Sequence, residues 1–406
     1  MAVAGEMNVL VVNGGSSSFK CWFHELNEGP LPACAPRPLW QAHVEWSGGQ
    51  ASVRIRSADA QPSEFAHPAA SLAEPLAGVL ERLTKSVPRI DVVGHRIVHG
   101  GKAYRETMRL TPEVRAAIRK QAEFAPAHNR FELEAVETVD RVIGSEVDQI
   151  AVFDTAFHAT LPPPAYVYAG PRAWLDQGVR RYGFHGISFQ YAARRAAQIL
   201  GAPPESLKLI LCHLGNGASL CAVNAGKSVD TTMGFTPLEG LMMGTRSGSV
   251  DPGILIFLLR HCGYTADQLD QLLNQRSGLL GISGESGDMR KILAARAAGD
   301  QPASLAFDIY AHRLTREAGG MLATLGGLDA LVFTGGIGEN CPPLREHLCR
   351  QLAFAGVSLD GVRNERNPPD ADIAAPDSPA RVLVIHAEEE WEIARECHRL
   401  RQAPLS

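Results

Sequence analysis

The stretch from Leu207 to Pro252 carries the densest chemistry in the chain. An apolar run, Leu209–Cys212, opens onto His213-Leu214-Gly215-Asn216-Gly217 before a second run, Ser219–Val223. Glycines on both sides of one asparagine leave backbone amides uncovered, so such a turn approaches a phosphate closely. Arg246 follows within Gly244-Thr245-Arg246-Ser247-Gly248. It is a planar, permanently charged donor fork on glycine-rich backbone, suited to a phosphoryl group or a carboxylate. Arg96 stands in Gly94-His95-Arg96-Ile97-Val98-His99-Gly100-Gly101, and Arg290 in Gly287-Asp288-Met289-Arg290 is a third candidate. A lone loop arginine is ordinarily a surface ion pair; two in apolar or glycine-rich surroundings point to anion binding.

Other segments extend the pattern. The run Asn8–Val12 ends on Asn13-Gly14-Gly15-Ser16-Ser17-Ser18-Phe19-Lys20, whose hydroxyls and lysine make an oxyanion cradle. It is not a P-loop, because Phe19 stands where that motif needs a glycine before the lysine. Strand Leu328–Phe333 ends on Thr334-Gly335-Gly336-Ile337-Gly338-Glu339-Asn340, where bare backbone packs flat against a nucleotide; the spacing is not the GxGxxG of a dinucleotide site. Asp154 follows strand Gln149–Phe153 and Glu389 follows strand Val382–Ile385, positions from which carboxylates orient Mg²⁺ and its waters. Helix capping and a solvated face are the competing readings, above all for Glu388 and Glu390. His185 sits where a loop enters a helix. His95 and His99 have i, i+4 spacing, but on a strand pattern without HExxH that spacing does not build a zinc site.

The elements that must hold these groups alternate between strand and helix patterns. Strands are expected at Cys21–Leu26, Gln41–Trp46, Ala51–Ile55 and Ile90–Val98. Helices are expected at Leu72–Ser86, Thr111–Phe124 (Thr111 as N-cap, Pro112 first in the helix), Phe131–Ile143, Ile254–His261, Ala266–Gln275 and Ser304–Leu325. Asn364–Pro379 reads as a polar, proline-rich loop before the last strand and helix. Strand, glycine or serine turn, strand occurs once in each half, the trace a duplicated nucleotide-binding fold would leave. At 406 residues two domains are expected. A net charge of −5 without a Lys/Arg cluster argues against nucleic acid, and the longest apolar run, Ile254–Leu259, is too short for a bilayer. The start, MAVAGEMNVLVV, lacks the pattern of a signal peptide, and eight cysteines without CxxC read as buried reduced thiols, so a cytoplasmic protein is expected.

Together these segments resemble the acetate kinase family, within the actin-like (ribonuclease H-like) two-domain phosphotransferases. The resemblance runs from Asn13 to Arg395, is weakest over residues 29–85, and is most specific in DTTMGFTPLEGLMMGTRSG, Asp230–Gly248. It implies a duplicated α/β fold with the active site in the interdomain cleft. Residues 1–150, joined by 386–406, would form the first domain, and residues 151–385 the nucleotide-binding domain and dimer interface. By motif, Asn13 and Glu389 would organise Mg²⁺, or Mn²⁺, and Lys20, Ser16 and Ser18 the nucleotide phosphates. Arg96 would hold the acyl carboxylate or its phosphate, Asp154 would be the catalytic acid, and His185 and Arg246 would stabilise the transferring phosphoryl. ATP or ADP would lie against His213, Leu214, Gly215, Asn216 and Gly217, against Asp288, Met289 and Arg290, and against Gly336, Ile337, Gly338, Glu339 and Asn340. Val98, Ala127, Phe184 and Pro237 would wall a small acyl pocket.

Three departures from the family pattern stand out. Ala387-Glu388 replaces the usual Thr-Asn or Thr-Asp before the paired glutamates, Ser249 replaces an aspartate after Arg246-Ser247-Gly248, and Ala127 replaces a leucine. The last enlarges the acyl pocket unless Phe131 or Phe124 fills it. The implied reaction is reversible, in-line phosphoryl transfer from ATP to acetate in a homodimer. A carboxylate acceptor is already ionised at neutral pH and needs no general base, so residue chemistry assigns Asp154 to ordering Mg²⁺-bound water. The alternatives are a propionate or other short-chain acyl kinase, a sugar kinase in which an Asp is the base, and a chaperone-type ATPase. The last would need a long peptide-binding segment after the second phosphate grip.

Overall fold

The apolar runs that begin the two phosphate-grip patterns are buried on both faces, and each lies at the centre of its own sheet. The computed structural model describes residues 6–15, 18–27, 29–58, 60–71, 73–87, 89–121, 126–366 and 368–402, with residues 60, 121 and 126–130 described by backbone alone. The chain divides into two units, residues 1–157 with 388–406, and residues 158–387.

In the first unit β1 (Glu6–Gly14) pairs antiparallel with β2 (Ser18–Asn27), and a meander continues through β3 (Trp40–Ser47), β4 (Gln50–Ser57) and β5 (Ala60–Pro68). After α1 (Ala73–Thr84), β6 (Val92–Ile97) returns parallel to β1. The short β7 (Met108–Arg109), α2 (Pro112–Gln121) and α3 (Pro126–Val142) precede β8 (Asp148–Phe153), which pairs parallel with β6. Leu10, Val12, Phe19 and Val93 from the strands meet Leu76, Leu80 and Leu83 of α1 and Val139 of α3 in one core. Alternation along β6 turns Gly94 to the opposite face. There the C-terminal helix (Glu389–Gln402) lies so close that a Cβ on Gly94 would stand 2.5 Å from Cys397 Sγ and 2.7 Å from Ile393 Cγ2.

The second unit begins with the short α4 (Pro163–Tyr166) and α5 (Arg172–Asp176), then α6 (Gly186–Leu200), closed by Gly201 in the left-handed region. An antiparallel meander of β9 (Lys208–Leu214), β10 (Ala218–Asn224) and β11 (Lys227–Thr231) follows. Next come α7 (Pro252–His261), α8 (Ala266–Gln275), α9 (Gly278–Ser283), α10 (Met289–Ala297) and the long α11 (Gln301–Leu325), started by Asp300 as N-cap. The sheet resumes with β12 (Ala330–Thr334), parallel to β9. Helices α12 (Gly335–Asn340), α13 (Pro342–Gln351) and α14 (Gly361–Arg366) and the short β13 (Ala371–Asp372) lead to β14 (Arg381–Val384), parallel to β12. The C-terminal helix is α15. The order β3-β2-β1-β6-β8 in the first sheet and β11-β10-β9-β12-β14 in the second is the same, with the same pairing senses.

Several sequence expectations are adjusted. A domain boundary at residue 150 would cut β8, which is held to β6 through Phe153, so the boundary falls after Phe157 and Asp154 belongs to the first unit. The return to the first unit begins at Glu388. β5 and β11 are additional strands, the first polar and edge-like, the second concealed within the Asp230 motif. α3 starts at Pro126 instead of Phe131, and GGIGEN is itself a helical turn. The loop expected at Asn364–Pro379 contains the end of α14 and all of β13. Cys34 and Cys262 are exposed thiols, whereas Cys212, Cys221 and Cys397 are buried.

The close seat of α15 on β6 gives a stability test. Gly94→Ala forces Cys397, Ile393 or the helix to move and should cost about 1–3 kcal/mol in urea unfolding. Gly78→Ala, in α1 with nothing within 4 Å of the new Cβ, should instead stabilise by about 0.5–1 kcal/mol.

Candidate active site

In the first unit the strand ends gather charge. Arg96 on β6 donates from Nη1 to the Gly14 carbonyl at 2.8 Å and from Nε and Nη2 to Asp154 Oδ2 at 3.1 and 2.5 Å. Both side chains are largely buried, at 15% and 2% exposure, so little water screens the pair. Burial works to lower the Arg96 pKa, but the charges of Asp154 and Glu389 and the bonds to Asp154 outweigh it, and the guanidinium stays charged. One turn of chain further on, the Val98 amide donates to Glu132 Oε1 of α3 at 2.9 Å.

Beside this pair, Asn13 and Lys20 are cross-strand partners on β1 and β2. Asn13 Nδ2 donates to Glu389 Oε2 at 3.2 Å and Glu390 Oε1 at 3.1 Å, and Lys20 Nζ lies 2.8 Å from Glu390 Oε1. Glu390 is therefore no solvated-face residue; it is 1% exposed. Burial works to lower the Lys20 pKa, but Glu390 more than offsets it, so Lys20 stays protonated. Glu389 and Asn13 offer the hard oxygen donors Mg²⁺ prefers, and no group of three or more His, Cys, Asp or Glu gathers around a metal position among the described residues. That donor set suits an ion completed by nucleotide phosphates and water. Ser18 is half-buried at the start of β2; Ser16 lies outside the described residues.

In the second unit the β9–β10 turn is closed by Gly215 N donating to Gly217 O at 2.9 Å. His185 caps α6 in the left-handed region (φ 58°), with its Nδ1 bonded to Ser219 Oγ at 2.9 Å. Its ring stacks on His213 at 4.2 Å, and His213 Nδ1 is bonded to Ser188 Oγ at 2.7 Å. A Cβ on Gly217 would stand 3.2 Å from His185 Nε2 and 3.5 Å from Arg246 Nη1. Imidazole, guanidinium and turn thus converge on one position, which a side chain at residue 217 would crowd. Arg246 Nη1 donates to the Pro237 carbonyl at 3.2 Å. The loop carrying both is fixed by Glu239, which accepts from Arg181 Nη2 at 2.7 Å and from the Tyr168 hydroxyl. Arg181 also donates to the carbonyls of Thr232 and Met233 at 2.9 and 3.0 Å.

A cavity of about 710 Å³ opens beside that turn, within the size range of small-ligand sites. Of the expected nucleotide residues, Gly215, Asn216, Asp288, Met289, Arg290, Gly336, Ile337 and Asn340 line it. His213, Leu214, Gly217, Gly338 and Glu339 do not. His213 supports His185, Leu214 is wholly buried, Gly217 faces His185 and Arg246, and Gly338 packs beneath the Cys212 carbonyl. Glu339 accepts from the amides of Gly335 and Ala387 at 2.9 and 3.0 Å and pairs with His386. Burial works to raise its pKa, but these partners hold it below the ordinary carboxylate range. Gly287, Leu293 and Cys341 also line the cavity and were missed, although Met289 and Leu293 share the i, i+4 face of α10. Arg290 is paired at 2.6 Å with Asp288, the N-cap of α10.

Of the expected acyl wall, Val98 is buried in the first unit and Phe184 in the second, and Pro237 bears the carbonyl that holds Arg246. The side chain of Ala127 lies outside the described residues, as does Phe124. Phe131 stacks on Phe19 at 5.9 Å and covers Gly14, a core position.

The profile of the acetokinase family matches residues 8–395. An acetate kinase of Gloeobacter violaceus is 54% identical over 399 residues, covering 96% of this chain and 98% of the relative, and one from Nostoc punctiforme is 49% identical over 407 residues, covering 97% and 99%. The crystal structure of Porphyromonas gingivalis acetate kinase superposes with a TM-score of 0.87 at 38% identity, covering 98% of this chain and all of that one. A propionate kinase from Francisella tularensis superposes at 0.86 with 34% identity, covering 96% and 98%. The repeated five-strand order is the duplicated actin-like fold.

If the point where His185 and Arg246 converge receives a transferring phosphoryl group, Arg246→Ala should lower phosphoryl-transfer turnover by about 10²–10³-fold. Arg246→Lys should recover only part, since a point charge cannot reproduce the fork. Near-normal turnover in the alanine variant would remove Arg246 from the chemistry.

Proposed function

The chain belongs to the acetokinase family, and on that premise we propose that it is an acetate kinase, transferring the γ-phosphoryl group of ATP to acetate to give ADP and acetyl phosphate, reversibly. The observation that carries this reading is the convergence of His185 Nε2 and Arg246 Nη1 on Gly217, at the edge of the cavity lined by Asn216, Asp288 and Gly336. ATP occupies that cavity, and its terminal phosphoryl meets the imidazole and guanidinium. Arg96 receives the acceptor carboxylate, with Val98 and Ala127 of the same unit beside its methyl group. Asn13 and Glu389 hold Mg²⁺ together with the nucleotide phosphates, and the ion supplies further neutralisation of the triphosphate; Mn²⁺ suits the same oxygen donors. Lys20, with Ser16 and Ser18, serves the phosphates once the nucleotide competes with Glu390 for it.

Acetate is fully ionised at neutral pH, so no proton need be removed and the transfer is direct and in line. Asp154 then orients Arg96, to which its Oδ2 is bonded twice, instead of acting as a base. This weighs against a sugar kinase, whose hydroxyl acceptor requires an unencumbered carboxylate. We also propose that the protein is a cytoplasmic homodimer. No helix of the described residues is long and apolar enough to cross a membrane, yet α7 leaves Ile254, Ile256, Phe257 and Leu259 each 45–56% exposed and buries none of its residues. A second copy would cover that face.

Incubating the enzyme with MgATP and acetate and trapping product with hydroxylamine tests the reading. Acetyl hydroxamate is expected, and ATP consumption without it would overturn the assignment. A second reading, a broader short-chain acyl kinase, is favoured by Ala127. A buried methylene is worth about 0.8 kcal/mol, or roughly fourfold in specificity. Ala127→Leu should therefore lower the propionate-to-acetate ratio of kcat/KM by at least about that factor, and an unmoved ratio would show that position 127 does not line the pocket.

A further inference from the structure

Glu132 is a buried ionisable group that Arg96 and Asp154 face and that the proposed reaction leaves without a role. It projects from α3 and is 3% exposed; its Oε1 accepts the Val98 amide at 2.9 Å, and its Oε2 is buried with no hydrogen-bond partner among the described residues. The charged groups that face it are Arg96 on β6 and Asp154 after β8, and Glu389 of α15 faces Arg96 in turn. Arg96 thus already answers two carboxylates before a substrate anion arrives. An ionised Glu132 would add a third, and would do so with one oxygen uncompensated in a dry interior, a costly arrangement.

We propose that Glu132 is a positioning residue that enters the acetate complex as a neutral carboxylic acid, fixing the Val98 amide while leaving the positive charge of Arg96 for the incoming carboxylate. Burial pushes its carboxyl up to about 8, although Arg96 and the Val98 amide pull it back, so the neutral form prevails at neutral pH. The sign follows directly. As pH rises through that value Glu132 releases its proton, the field at Arg96 becomes less positive, and acetate binds more weakly. The cavity that the preceding reading gives to ATP lies in the second unit, and none of its lining residues is among the groups that face Glu132. The inference rests on Arg96 as the acceptor site.

The test is the pH dependence of KM for acetate, measured at saturating MgATP from pH 7 to 9. If only the neutral form binds acetate, a group titrating at about 8 raises that KM about tenfold across the range. The KM for ATP should rise less than that for acetate. In Glu132→Gln, an isostere of the neutral acid that keeps a carbonyl for Val98, the acetate profile should be level. A level profile in the wild type, or a rise that survives in Glu132→Gln, overturns the proposal. Should the variant not fold, the wild-type enzyme still decides it. Calorimetric titration of acetate at pH 8 in buffers of different ionisation enthalpy should show uptake of about half a proton per site, and no uptake contradicts the assignment. Failure of acetyl phosphate synthesis would instead remove the acetate reading itself, which is distinguishable because an active enzyme with a level profile removes Glu132 alone.

Discussion

A carboxylate and a triphosphate repel each other, and the proposed reaction needs fixed positive charge to answer that repulsion. Two unit charges 4 Å apart at an effective dielectric near 20 cost about 4 kcal/mol. Bringing acetate to a phosphoryl group therefore requires fixed positive charge in a place where water does not dilute it. In the first unit the proposed source of that charge is Arg96, buried and ion-paired with Asp154. Asp154 holds the guanidinium in one orientation and the Gly14 carbonyl fixes its other edge. In the second unit Arg246 is positioned by a backbone carbonyl and His185 by a serine.

The duplicated sheet makes this placement economical. Each unit presents an antiparallel hairpin whose turn is pinned by one backbone bond, Gly15 to Ser18 in the first and Gly215 to Gly217 in the second. Each adds parallel strands on the same side of that hairpin, so the candidate site residues fall at strand ends: Asn13, Arg96 and Asp154 in one unit, the 213–217 turn and the 334–340 segment in the other. Such ends are stiff because the strands behind them are buried on both faces. The acid cluster of α15 depends on one missing side chain, that of Gly94, which lets the helix rest on β6 and bring Glu389 and Glu390 to Asn13.

Local chemistry was legible where backbone and side chain had to cooperate within a few residues. The glycine turns, Arg246 on its glycine-rich loop and the N-cap at Thr111 could all be read because each is a local constraint, whereas Arg96 lies on strand β6. Polar or short elements were less readable: β5 has no apolar alternation, and β11 hides inside a motif that reads as loop. Partners distant in sequence were invisible. Nothing near Lys20 announces Glu390, nothing near Glu239 announces Arg181, and nothing near Glu132 announces Arg96. Adjacency also misled, since Leu214 and Gly338 sit inside phosphate-grip motifs yet face the core.

Catalysis by positioned charge alone, with no phosphorylated side chain on the path, is the claim on which the mechanism stands. It is tested most directly by the stereochemical course at phosphorus, using ATP whose γ-phosphoryl group is made chiral with oxygen isotopes and analysing the acetyl phosphate formed. A single in-line transfer between the two substrates predicts inversion of configuration. Retention would require an even number of transfers through a protein group and would contradict the account.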